Sequence, residues 1–136
     1  MSVEPARKRR SFWWYLQGRA GRREYWIMVA LIIVLGVLFS QIGGAAIGGA
    51  MALMLMMIRR LHDFGRTGWW AALVIFGPLV LMLALMTVTG LEMAAGLATL
   101  TELVGVAWIG AVPGDAQENR FGPPPPFTAR QVLLGR

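Results

Sequence analysis

The chain has no cysteine, one histidine and little charge. Each scarcity removes a class of function. Without cysteine there are no disulfides, thiolate metal sites or cysteine nucleophiles. One histidine excludes a multi-histidine metal centre within one chain, so no metal and no cofactor are expected. Charged residues make up 15% of the 136 positions, against about 25% in an ordinary soluble domain. What fills the space is apolar: 57% of residues are hydrophobic and mean hydropathy is +0.58. That is too much apolar material for one small soluble core. Membrane-embedded helices are the economical reading.

The net charge of +6 raises the question of nucleic acid. Placement answers it. Lys and Arg fall in three blocks that flank apolar runs rather than covering one soluble face, which is a topology signal. No nucleic-acid partner is expected.

No charged residue occurs from position 25 to 58, a run too long for one span of roughly 20 residues. "QIGGAAIGGA", residues 41–50, interrupts it with paired glycines that favour a turn. Two spans are predicted, over 25–42 and 45–58. The apolar run 69–88 is a third, with a kink expected at Pro78. After "TVTG", residues 91–112 are a fourth. The expected fold is all-α: a polytopic four-helix transmembrane bundle built from two helical hairpins. A basic, aromatic interfacial segment covers 1–24, the four-span domain 25–113 and a cytoplasmic tail 114–136. "FGPPPP", residues 121–126, is expected as an extended exit segment.

Charge sets the orientation. Seven basic residues precede the first span, Arg59, Arg60 and Arg66 lie between the second and third, and Arg120, Arg130 and Arg136 follow the fourth. With four spans, all of them share one side, which the positive-inside rule makes cytoplasmic. A multi-pass protein of the bacterial cytoplasmic membrane, with both termini inside, is predicted. "RKRR", residues 7–10, returns to charge too soon to begin a cleavable signal peptide.

Three motifs stand at the span boundaries: "GRAGRREYW" at 18–26, "RRLHDFGRTGWW" at 59–70 and "ENRFGPPP" at 118–125. In this order and spacing they resemble the bacterial inner-membrane family of unknown function typified by YhaH and YhaI. The resemblance covers residues 12–125 and implies class and location, with no settled activity. "GRAG" and "GRTG", 47 residues apart and each followed by a tryptophan, also suggest two parallel hairpin repeats.

The site residues divide by chemistry. Arg59, Arg60 and Arg66, with Arg19, Arg22 and Arg23, are candidate ligands for lipid phosphate, because a guanidinium fork matches phosphate oxygens. Trp13, Trp14, Trp26, Trp69 and Trp70 suit the headgroup zone as anchors. His62 and Asp63 are adjacent and do not face each other on a helix, and no obvious nucleophile accompanies them. They are read, with Gly65 and Gly68, as structural loop residues. Asp63 is expected to pair with Arg59 or cap a turn, and Glu24 with Arg19, Arg22 or Arg23. Glu102, near the centre of the fourth span, would need protonation or a wet cavity there. It is the candidate ion or proton site.

The predicted function is that of a small non-enzymatic scaffold or accessory protein with a basic cytoplasmic rim. Anionic phospholipid, a second copy or another membrane protein are the expected partners. The alternative is a small oligomeric transporter or channel using Glu102.

Overall fold

The computed structural model describes residues 16–125. Trp13, Trp14 and the "RKRR" block lie outside the described residues, as does the tail beyond 125. Four helices are present among the described residues: α1 Arg22–Leu38, α2 Ala45–Asp63, α3 Trp69–Thr89 and α4 Leu91–Ala111. Three of them, α2, α3 and α4, are long and apolar enough to cross a membrane. The shorter α1 has 17 residues and carries Arg22, Arg23 and Glu24 in its first turn.

The turns follow from backbone chemistry. Leu38 and Ala45 are joined through a compact segment in which Ser40 N–H donates to Val37 O and Ile42 N–H to Phe39 O. Gly44 ends that turn at φ +87°, a conformation costly for residues with a Cβ. Between α3 and α4 a single residue, Gly90, reverses the chain at φ +83°. Pro78 lies buried inside α3, which continues as a helix to Thr89.

Each hairpin packs chiefly on itself, α1 against α2 and α3 against α4, and α2 joins them through α3. The core sits at the end of the bundle where α1 and α3 begin and α2 and α4 finish. Tyr25, Met57, Leu61, Ala71 and Ile109 are fully buried there. Large apolar side chains elsewhere, from Ile33 and Leu38 to Val80 and Leu103, are exposed. Such a surface is stable in hydrocarbon, where apolar contact with lipid costs nothing.

Small residues set the helix spacing. A Cβ at Gly105 of α4 would lie 2.7 Å from Val74 Cγ1 of α3. A Cβ at Gly110 would lie 2.8 Å from Tyr25 Cε1. Both helix pairs therefore approach at distances that only glycine permits.

Candidate functional site: an arginine clasp at the basic end

The charged motifs converge at the buried end of the bundle. α2 presents Arg59, Arg60 and Asp63 in its last turn. The segment before α1 supplies Arg19, and the segment after α4 returns across both. Arg19 and Arg60 are 5% and 0% exposed, and Asp63 4%.

Burial of a guanidinium requires its donors to be satisfied. Arg19 meets that requirement completely. Its Nε donates to Asp63 Oδ1 at 3.0 Å, its Nη1 to Gln117 O at 2.8 Å and Gly122 O at 3.2 Å, and its Nη2 to Asp63 O at 3.1 Å and to Asp115 O. These five bonds use the five N–H groups an arginine owns. Arg60 donates to Ile109 O at 3.2 Å, Ala20 O at 3.4 Å, Asp63 Oδ2 and Val112 O. One carboxylate thus holds two cations, and backbone carbonyls accept every other bond the two guanidiniums make. The arrangement stitches together segments 40 to 103 residues apart.

The loop beyond α4 closes over this cluster. Asp115 N–H donates to Asp63 O at 2.8 Å. Asn119 Nδ2 donates to His62 O at 3.0 Å and to Asp115 Oδ2 at 2.8 Å, while its Oδ1 accepts from Phe121 N–H at 2.9 Å. The Phe121 ring stacks on His62, centroids 3.8 Å apart and planes 8° from parallel. Arg120 lies over the other part of this aromatic layer, 4.7 Å from the Phe121 centroid, and donates to Gly65 O at 3.0 Å. Gly114 is required by proximity: a Cβ there would overlap Asp63 Oδ2.

Several expectations need revision. Arg19 and Arg60 are enclosed, with their donors directed to protein acceptors, so their guanidiniums face Asp63 and carbonyls rather than lipid. Asp63 pairs with Arg60, three residues earlier, and with Arg19, rather than with Arg59. Glu24 pairs with Arg59 at 2.7 Å rather than with a neighbour in its own segment. His62 is a buried stacking residue whose Nδ1 has no hydrogen-bond partner among the described residues. In the α2–α3 connection Gly65 has φ +72°, and a Cβ at Gly68 would lie 3.0 Å from Ile58 Cγ2. The two "GRxG" motifs occupy unlike settings, since Arg19 is buried and Arg66 exposed.

Arg22, Arg23 and Arg66 remain at the surface near this end. Trp26, Trp69 and Trp70 lie at helix starts on the same level, 43%, 83% and 40% exposed. Trp108, which the sequence reading did not single out, joins them from the end of α4, its ring 6.3 Å from Trp70. Glu102 is far from the clasp, half-buried in the middle of an unbroken α4. The Thr99 and Thr101 hydroxyls donate to Ala95 O and Leu97 O of their own helix. Asp115, Gln117 and Asn119 were also missed. "VPGD" and "ENRFG" marked their segment, but local pattern does not reveal contacts across 50 to 100 residues.

Fold and site together define a small helical membrane protein whose basic end is closed by buried arginine–aspartate pairing. The chain belongs to the family described as "Protein of unknown function (DUF805)", which it matches over residues 13–123. It is 30% identical over 137 residues to the inner membrane protein YhaH of Escherichia coli strain K12, covering 82% of this chain and 95% of that protein. It is 32% identical over 120 residues to the uncharacterized protein YiiR of the same strain, covering 78% and 82%. No solved structure matches the chain.

Proposed function

We propose that the protein is a four-span scaffold or accessory protein of the bacterial inner membrane, non-enzymatic, with both termini cytoplasmic and a rim that holds anionic lipid. The observation that carries this reading is the internal use of its chemistry. Arg19, Arg60, Asp63 and Asn119 all bond to one another or to nearby backbone. These groups build a rigid end rather than an open reaction centre. What the molecule offers outward is apolar helix surface, aromatic anchors and the exposed cations Arg22, Arg23 and Arg66.

Geometry supports four crossings rather than three. Arg19, just before α1, bonds to Asp63 at the end of α2, while a short turn links the opposite ends of the two helices. α1 therefore covers much the same depth as α2. Arg60 ties the end of α4 to this level too. The basic segments share one face of the membrane, as the positive-inside rule requires of a cytoplasmic side. The inner-membrane name of YhaH agrees with that location.

The test is purification of the full chain in native lipid particles, without detergent, followed by mass spectrometry of co-purifying proteins and lipids. A stoichiometric membrane-protein partner and enrichment of anionic lipid over the bulk membrane are expected. A chain recovered without a partner refutes the scaffold reading. Proton or ion flux in reconstituted vesicles that is lost in Glu102→Gln would favour transport, the reading that the mid-helix position of Glu102 supports.

A further inference from the structure

The face between α3 and α4 carries a long open groove of about 440 Å3. Trp70 and Trp108, with ring centroids 6.3 Å apart, line its end nearest the clasp. Its walls are apolar, and it reaches Leu81 on α3 and Thr101 on α4. The floor exists because Gly105 lets α4 come close to Val74.

Length argues for the occupant. From Trp70 to Leu81 a helix rises about 16 Å at 1.5 Å per residue. The hydrocarbon core is about 30 Å thick, so the groove spans one leaflet. A transmembrane helix of a partner or a second copy would continue across both leaflets, whereas a single acyl chain ends near the midplane. Charge argues for the headgroup. Arg66, four residues before Trp70, is exposed and has no ion pair or side-chain hydrogen bond among the described residues. α3 has no acidic residue in its first turn, so its positive dipole end adds to the same sign of potential. Trp70 and Trp108 line the groove at this end, and indole rings suit the depth of glycerol and carbonyl groups.

We infer that the α3–α4 groove is a binding site for an anionic phospholipid of the cytoplasmic leaflet, one acyl chain lying from Trp70 to Leu81 and the phosphate facing Arg66. This rests on the lipid-binding rim proposed above and gives it a defined seat. The groove supplies retention through apolar contact. Arg66 supplies preference for a negative headgroup.

The experiment uses the purified full chain in mild detergent, with native mass spectrometry after addition of phosphatidylglycerol or phosphatidylcholine. Wild type is expected to retain one phosphatidylglycerol in preference to phosphatidylcholine. Arg66→Gln should reduce that preference about fivefold, the effect of one cation near an anionic surface. Thr101→Trp fills the deep end and should reduce retention of both lipids. Helical content and thermal stability are measured alongside, and Leu83→Trp serves as a lipid-facing control outside the groove that should retain lipid as wild type does. If wild type prefers phosphatidylglycerol but folded Thr101→Trp retains it unchanged, the groove assignment is overturned while the rim reading stands. If wild type shows no preference, both fall. A disulfide-linked dimer formed through Thr101→Cys, in place of bound lipid, would overturn the assignment in favour of a second copy.

Discussion

Asp63→Asn is the sharpest probe of the clasp. The asparagine keeps the size of the side chain and removes one charge. In the wild type the carboxylate lies between two guanidiniums, and the three side chains are 0 to 5% exposed. After the change two buried cations face a neutral amide, and one side of that amide is itself a donor. Removing one partner of a buried pair costs about 3–5 kcal/mol because the remaining charge is left uncompensated. At about 1.4 kcal/mol per tenfold, the open form of the clasp should become roughly 140- to 4000-fold more populated. Amide hydrogen exchange reads this population directly. The reporters are Asp115 N–H, bonded to Asp63 O, with Phe121 N–H and Gly122 N–H, bonded to Asn119. In lipid nanodiscs the peptide covering residues 112–122 should exchange faster by that factor, up to the unprotected rate. Arg66→Gln, at an exposed position, should leave the same peptide unchanged. Wild-type protection in folded Asp63→Asn would refute the claim that this carboxylate holds the end together.

Gly114→Ala should resemble Asp63→Asn in exchange of the 112–122 peptide, because its methyl overlaps the carboxylate rather than adding surface; unchanged protection would show that the loop can shift without loss. Because the chain lacks cysteine, single cysteines map its topology: Gln17→Cys and Thr67→Cys should be shielded from an impermeant periplasmic thiol reagent, whereas Ser40→Cys and Leu91→Cys should react. Labelling of both Gln17→Cys and Ser40→Cys would place both ends of α1 outside and reduce the protein to three spans. Glu102→Gln should insert and fold normally, while Glu102→Lys should lose about 3 kcal/mol of insertion free energy if the position lies at mid-depth. Equal membrane accumulation of the two variants would put Glu102 near water.

The helices were legible because each is a long apolar run with a visible interruption. Trp69–Thr89 begins after "GRTG" and stops at Gly90, where the chain needs a positive φ. The turn near residues 39–44 was visible as glycine pairs, although it begins earlier than the glycines themselves. The arginines were harder to read. Charge counting treats an arginine beside a span as a solvated topology marker, and for Arg22, Arg23 and Arg66 their exposure fits that view. Arg19 and Arg60 have the same sequence context yet are buried, because carbonyls from residues 109–122 happen to meet them. Helical spacing did indicate that Asp63 could reach back along α2. It did not distinguish Arg59, four residues away, from Arg60, three away, since both spacings place side chains on neighbouring positions.

The five bonds of Arg19 have a consequence for biosynthesis. Three of its carbonyl acceptors, on Asp115, Gln117 and Gly122, are made about a hundred residues after it. At roughly 5–20 residues per second, about 5 to 20 s separate the synthesis of Arg19 from that of its last partners. Through that interval the first hairpin can insert, but its polar end lacks the acceptors that let two arginines be enclosed. The nascent chain therefore has an immature face at its basic end. Completion of residues 115–122 removes it, so the clasp can close only after the last of these acceptors has been made.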